Sequence, residues 1–204
     1  MRVFYAVIWS VIWPFFNLVH PVRQVGRENL PAGGAVVCGN HSAMSDPFFL
    51  VFAAGRRNQM RVMAKAELMH VPVIGWLLKM AGVFGVERGK ADVGAIKTAM
   101  KHLKSGEKVL LFPEGTRVKN GLDKEGHESE AKTGAAMLAM RTGVPLVPVY
   151  IPEKKNWFRF TTVVIGEPYY PEAASGEKKP TAEDYRIVAD NLMERVRALG
   201  GVSA

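Results

Sequence analysis

Apolar and polar residues come in blocks along this chain, and the length and period of each block predict an element. The run "GAVVCGN" (34–40) is short and continuously apolar before it enters a turn. That pattern predicts a strand buried on both faces. Residues 47–54, "PFFLVFAA", predict a helix with Asp46 as its N-cap and Pro47 at its first position. Residues 56–68 read as a basic turn leading into a short strand, 72–82 as an apolar helix, and 83–89 as a strand ending in charge. In 91–106 Val93, Ile96, Met100 and Leu103 share one stripe, and Gly106 ends the amphipathic helix. "KVLLFPEGTR" (108–117) is a strand running into a turn, and the charged stretch 118–131 predicts a mobile surface loop. A helix at 131–143, strands at 144–151 and 158–170, and a capped helix at 181–201 complete the chain.

Strands alternating with helices predict an α/β fold, a central mixed sheet covered by helices on both faces. Such a sheet builds its sites in the loops at the carboxyl ends of its strands.

The first twenty residues stand apart. Residues 3–16 are apolar or aromatic except Ser10 and Pro14. No small-residue cleavage pattern follows, which argues against a signal peptide. A helix over 3–19 is about 25 Å long, short of the roughly 30 Å hydrocarbon core, and Pro14 is expected to kink it. Tyr5, Trp9, Trp13, Phe15 and Phe16 are residue types of membrane–water boundaries, and Arg2, Arg23 and Arg27 flank them. The expectation is a membrane-interface anchor over residues 1–20 and one domain over 21–204. The competing reading packs this helix on the domain's own core.

Composition sharpens the picture. The 204 residues are 48% hydrophobic and 23% charged, as in an ordinary globular protein. The net charge of +8 favours an anionic partner, a membrane or a phosphorylated substrate. No basic arm or zinc-type signature supports nucleic acid. The single cysteine, Cys38, permits no internal disulfide, fits a reducing compartment, and lies in a strand-like run that reads as core.

Of the five histidines only His41 follows a strand with a carboxylate close by. On one continuous helix, His41 and Asp46 would diverge by about 140°. They meet only across a turn, which residues 42–45 supply. A carboxylate on one ring nitrogen would fix the tautomer and leave the other as a base; a simple helix cap is the alternative. In "FPEGTR" (112–117) Gly115 permits a tight turn exposing Glu114, Thr116 and Arg117, and the Arg117 fork suits phosphate. A strand-end turn with a surface salt bridge is the alternative there. Lys65 and Arg88 are further cations at segment ends, equally readable as solvated side chains. No metal-ligand set is evident.

Together these pieces resemble the glycerolipid acyltransferase family, whose best-known members are 1-acylglycerol-3-phosphate O-acyltransferases. Asn40, His41 and Asp46 match N-H-x-x-x-x-D; Gly82 to Arg88 match an apolar block; Phe112 to Arg117 match F-P-E-G-T-R intact; and residues 144–149 match V-P-x-V-P-V, with "KAEL" at 65–68 also similar. The resemblance spans roughly residues 35–150. It implies transfer of a fatty acyl group from acyl-CoA or acyl carrier protein to the sn-2 hydroxyl of lysophosphatidic acid, with no cofactor; the basic flanks of the first segment and a reduced Cys38 add the expectation of the cytoplasmic face of the cell membrane. His41 would be the base and Asp46 its partner. Gly115 and Arg117 would bind the phosphate, Glu114 and Thr116 would shape that turn, and Lys65 and Arg88 would add charge; Asn40 is placed with the substrate-binding set. Another lysophospholipid acceptor and a non-catalytic lipid-binding module are the competing readings. A hydrolase using Ser42 or Ser45 lacks the G-x-S-x-G elbow.

Overall fold

A computed structural model describes residues 2–87, 92–119, 122, 125, 127, 131–175 and 179–202. The helices are α1 (Arg2–Val19), α2 (Asp46–Ala54), α3 (Ile74–Ala81), α4 (Val93–Lys104), α5 (Gly134–Thr142) and α6 (Ala182–Ala198). The strands are β1 (Val22–Val25), β2 (Ala35–Gly39), β3 (Met60–Lys65), β4 (Phe84–Val86), β5 (Lys108–Leu111), β6 (Leu146–Tyr150) and β7 (Thr161–Ile165). They form one seven-stranded sheet in the order β1-β7-β6-β2-β5-β3-β4. All neighbouring pairs are parallel except β6 with β7, so the sheet is mixed, as the alternating pattern predicts.

Strand β2 lies at the centre, and every one of its residues is buried. Its side chains alternate between two cores. Ala35 and Val37 join Phe49, Leu50, Leu110 and Val149 beneath α2, whereas Val36 and Cys38 join Ala99, Leu138 and Leu192 beneath α4, α5 and α6. This two-sided burial explains the unbroken apolar run in the sequence. Cys38 is fully buried, and burial pushes its thiol far above the ordinary range, consistent with a core residue.

Strand β1 was not anticipated. It is four residues long, lies at the sheet edge beside β7, and three of its residues are exposed. An edge strand with one covered side carries too little apolar pattern to stand out. Strand β7 is shorter than the predicted 158–170. Much of the predicted 118–131 loop falls outside the described residues, and in the rest Lys119 and Leu122 form a bridge.

Helix α1 runs through Pro14 and has two apolar faces. The inner face packs on the domain. Trp9 and Trp13 stack at 5.3 Å, Trp9 meets Phe52 edge-on, and Phe16 contacts Phe48, Phe49 and Phe52. The outer stripe of Phe4, Val7, Val11, Phe15 and Leu18 is exposed, each residue by more than half. The two tryptophans therefore belong to the packed face. Among the described residues no helix is long and apolar enough to cross a membrane.

The register places the carboxyl ends of the central strands level. Cys38 pairs with Leu111 on β5 and Pro148 on β6. The connections leaving β2, β5 and β6 consequently emerge side by side from one edge of the sheet.

Candidate active site

The turn after β2 brings His41 and Asp46 together. His41 Nδ1 lies 3.0 Å from Asp46 Oδ2. The same oxygen accepts the backbone N–H groups of Ser42 at 2.6 Å and Ala43 at 2.7 Å. Asp46 is not the N-cap predicted for α2. Ser45 holds that position without a side-chain cap bond, and Asp46 is already helical. Its carboxylate turns back over the preceding loop, so it organises the turn and holds the imidazole at once.

Asp46 is completely buried. Burial pushes its carboxyl upward, but the hydrogen bonds from His41 and Ala43 and the nearby Lys155 ammonium outweigh it, and the net result lies below the ordinary carboxylate value. An ionised carboxylate only accepts hydrogen bonds, so Nδ1 of a neutral His41 carries the proton. Nε2 is thereby left as the basic nitrogen. The Phe112 ring stacks on the imidazole at 4.3 Å with 21° between planes, which fixes its orientation.

The F-P-E-G-T-R turn is tied to His41 at both ends of the residue. Glu114 Oε2 accepts the His41 backbone N–H at 2.7 Å, and the Val118 N–H donates to the His41 carbonyl at 2.7 Å. Gly115 closes the turn with a 3.0 Å bond to the Phe112 carbonyl. Its φ of +66° favours glycine. Lys132, just before α5, braces the turn through Pro113 O at 2.8 Å. Thr116 and Arg117 are half-buried on this turn, and among the described residues no carboxylate pairs with Arg117.

The remaining expected residues sit differently. Both ends of the Asn40 amide engage the backbone of Ile151, at 2.8 Å each, extending the β2–β6 pairing by one residue. Asn40 thus fixes the exit of two loops. Lys65 ends β3 at the same sheet edge and pairs with Glu67 at 2.9 Å, both largely exposed, a weak contact. Arg88 lies outside the described residues.

Sequence reasoning missed Lys155. Its side chain is 5% exposed, and Nζ lies 2.8 Å from Asp46 Oδ1. It comes from the β6–β7 connection, more than a hundred residues from Asp46, in a stretch, "PEKKNW", that reads as an ordinary charged loop. The one usable signal was its place just past a buried strand.

Burial pushes the Glu114 carboxyl to about 7, helped by the charges of Asp46 and Glu153 and opposed by the His41 N–H and Arg197. A raised carboxyl value means the folded state keeps a proton that the unfolded chain has released. Stability from this group is present below the ordinary value of 4.5 and is lost as pH rises through about 7. The stability of wild type relative to Glu114→Gln should fall by about 2 kcal/mol between pH 5 and 8. Urea unfolding at both pH values reads this, and equal slopes for the two proteins would refute the assignment.

The comparisons with known proteins agree with this geometry. The model of the family described as Acyltransferase matches residues 21–152. A 1-acyl-sn-glycerol-3-phosphate acyltransferase of Bacillus subtilis is 32% identical over 184 residues, 87% of each chain. The chloroplastic enzyme LPAT1 of Arabidopsis thaliana is 34% identical over 72% of this chain, which spans only 39% of that relative's length. The crystal structure of the 1-acyl-sn-glycerophosphate (LPA) acyltransferase PlsC from Thermotoga maritima superposes with a TM-score of 0.63 at 25% identity, covering 96% of this chain and 78% of that one. With the family model spanning well over half of its residues and the histidine–aspartate pair seated on the F-P-E-G-T-R turn, this chain belongs to the acyltransferase family.

Proposed function

We propose that this protein transfers a fatty acyl group from an acyl thioester, acyl-CoA or acyl carrier protein, to the sn-2 hydroxyl of 1-acylglycerol-3-phosphate. The product is phosphatidic acid, made for phospholipid synthesis at the cytoplasmic surface of a membrane. The observation that carries this reading is the His41–Asp46 pair, held at 3.0 Å and bonded through the His41 main chain to the turn bearing Arg117. The relatives, 1-acyl-sn-glycerol-3-phosphate acyltransferases, support the same acceptor.

The chemistry follows from the residues. A glycerol hydroxyl is a poor nucleophile near neutral pH, so it needs a base at the moment of attack. His41 Nε2 takes the hydroxyl proton while the oxygen adds to the thioester carbonyl. Asp46 stabilises the imidazolium that results. Collapse of the tetrahedral intermediate breaks the C–S bond, and the thiolate leaves with the proton from Nε2. The thiol is a good leaving group, so no covalent enzyme intermediate is needed. Arg117 and the Gly115 turn hold the acceptor phosphate with a planar fork and backbone donors. Thr116 lines that turn, Lys65 adds positive charge at the rim, and the resemblance adds Arg88 as a further cation of the binding set.

The exposed stripe of α1 supplies the membrane contact. Five large apolar side chains at ~1.5–3 kcal/mol each give a gross gain on the order of 10 kcal/mol. Trp157, Phe158 and Phe160, each about two-thirds exposed, continue this surface past the end of α1. Phe158 has a left-handed backbone, φ 58°, held by its N–H to the Val19 carbonyl at 2.7 Å. Arg23 lies 5.3 Å over the Phe160 ring, adding a cation beside the aromatics.

His41→Ala should lower turnover by about 10²–10⁴ while the domain stays folded. Near-normal transfer by that variant would remove His41 from its role. Arg117→Ala should raise KM for lysophosphatidic acid about tenfold to a hundredfold, from the loss of ~1.5–3 kcal/mol of charged hydrogen bonding. An equal rise with a monoacylglycerol acceptor would contradict the phosphate assignment. The double substitution Val7→Asp, Val11→Asp should leave the melting temperature nearly unchanged yet abolish sedimentation with anionic phospholipid vesicles. Unaltered sedimentation would exclude the outer stripe of α1 as the anchor.

A further inference from the structure

We infer that Lys155 is a positioning residue for acyl transfer, a buried cation that locks the Asp46 carboxylate and limits how strongly it holds the imidazolium. The inference rests on the reading of His41 as the base. Lysine ammonium has three N–H donors, and three acceptors lie within reach. Asp46 Oδ1 is at 2.8 Å, Ser42 Oγ at 3.0 Å and the Glu153 carbonyl at 3.3 Å. The Phe49 ring lies 5.9 Å from the charge. Such a satisfied, buried ammonium differs from a solvated surface lysine, which Lys154 next to it in sequence resembles.

The two carboxylate oxygens have separate tasks. Oδ2 takes His41 Nδ1 and two backbone N–H groups, and Oδ1 faces Lys155. Rotation of the carboxylate would break both sets at once, so the oxygen facing His41 is fixed. The bond to Ser42 Oγ pins the same turn from its other side. That bond also settles the status of Ser42. A lysine beside a serine acts as a base only when neutral, and the ion pair with Asp46 makes Lys155 a donor.

The cation has an electrostatic effect as well. An unopposed buried carboxylate holds an imidazolium strongly, and a protonated His41 is not a base. Lys155 offsets part of the Asp46 charge, so the pair holds an imidazolium less strongly than an unopposed carboxylate would. The other charges near the pair are Glu114 on the turn after β5, which feels Asp46, with Glu153 on the same connection as Lys155 and Arg197 on α6 both acting on Glu114. None of these makes an ion pair with Asp46, as Lys155 does.

The test is the pH profile of kcat/KM for Lys155→Met and Lys155→Arg with lysophosphatidic acid and acyl-CoA. Lys155→Met should lower kcat at pH 7 by about tenfold or more with little change in acceptor KM. Its acidic limb should move up by ~1 pH unit, since one charge a few ångströms away is removed. Lys155→Arg should restore most of the rate and the wild-type limb. A loss that is uniform with pH, leaving the limb in place, would mean Lys155 is only structural and would overturn the inference. A second measurement does not depend on the reaction. In a urea-unfolding cycle, Lys155→Met should destabilise the wild type by clearly more than it destabilises Asp46→Asn, because only the former leaves a buried charge unpaired. Additive effects would also overturn it. An intact cycle together with a fully active His41→Ala would instead place the fault in the proposed reaction.

Discussion

One buried carboxylate organises this site. Asp46 is removed from water completely, and a lone charge in that position would destabilise the fold by several kcal/mol. The protein meets this constraint with donors from three places: the imidazole of His41, two amides of its own turn, and the ammonium of Lys155. Satisfying the charge therefore dictates the shape of the loop, the tautomer of the histidine and the path of the β6–β7 connection. The contacts that satisfy the buried charge also fix the geometry of the imidazole.

The second organising element is the alignment of strand ends. The turn after β2 supplies the histidine, the turn after β5 supplies the arginine, and the connection after β6 supplies the lysine. Asn40 extends the β2–β6 ladder through Ile151. Glu114 and Val118 clamp the His41 backbone to the turn after β5. Three segments remote in sequence thus become one surface through hydrogen bonds that each end on a main-chain group.

Much of this was legible in the sequence because local rules and global fold agree there. The apolar run of β2, the spacing of His41 and Asp46 and the turn at Gly115 each have a local physical signature. What escaped was non-local. From its neighbours Asp46 reads equally as a helix cap or as a partner for His41, and only the fold shows its carboxylate turned back on the loop. Lys155 sits in a polar stretch whose burial depends on Asp46 being across the gap. Asn40 carries a motif position, yet its amide serves a strand 111 residues away. Strand β1 was hidden because an edge strand needs little apolar pattern. The paired tryptophans of α1 suggested a lipid-facing belt, but they stack on the packed side, and Phe4, Val7, Val11, Phe15 and Leu18 form the outer stripe.

The proposed site residues sit at one rim of the sheet, and the opposite rim carries none of them among the described residues. There the strands begin, at the Gly33, Gly106 and Gly143 turns; a side chain added at any of these would meet no neighbouring atom, although Gly106 and Gly143 hold left-handed backbone. Arg61, Glu107 and His102 knit that rim together without touching the site. A fluorophore or surface tether attached at Gly33 would consequently report how the molecule leans on a lipid layer without disturbing turnover. The architecture provides its own handle for orientation measurements.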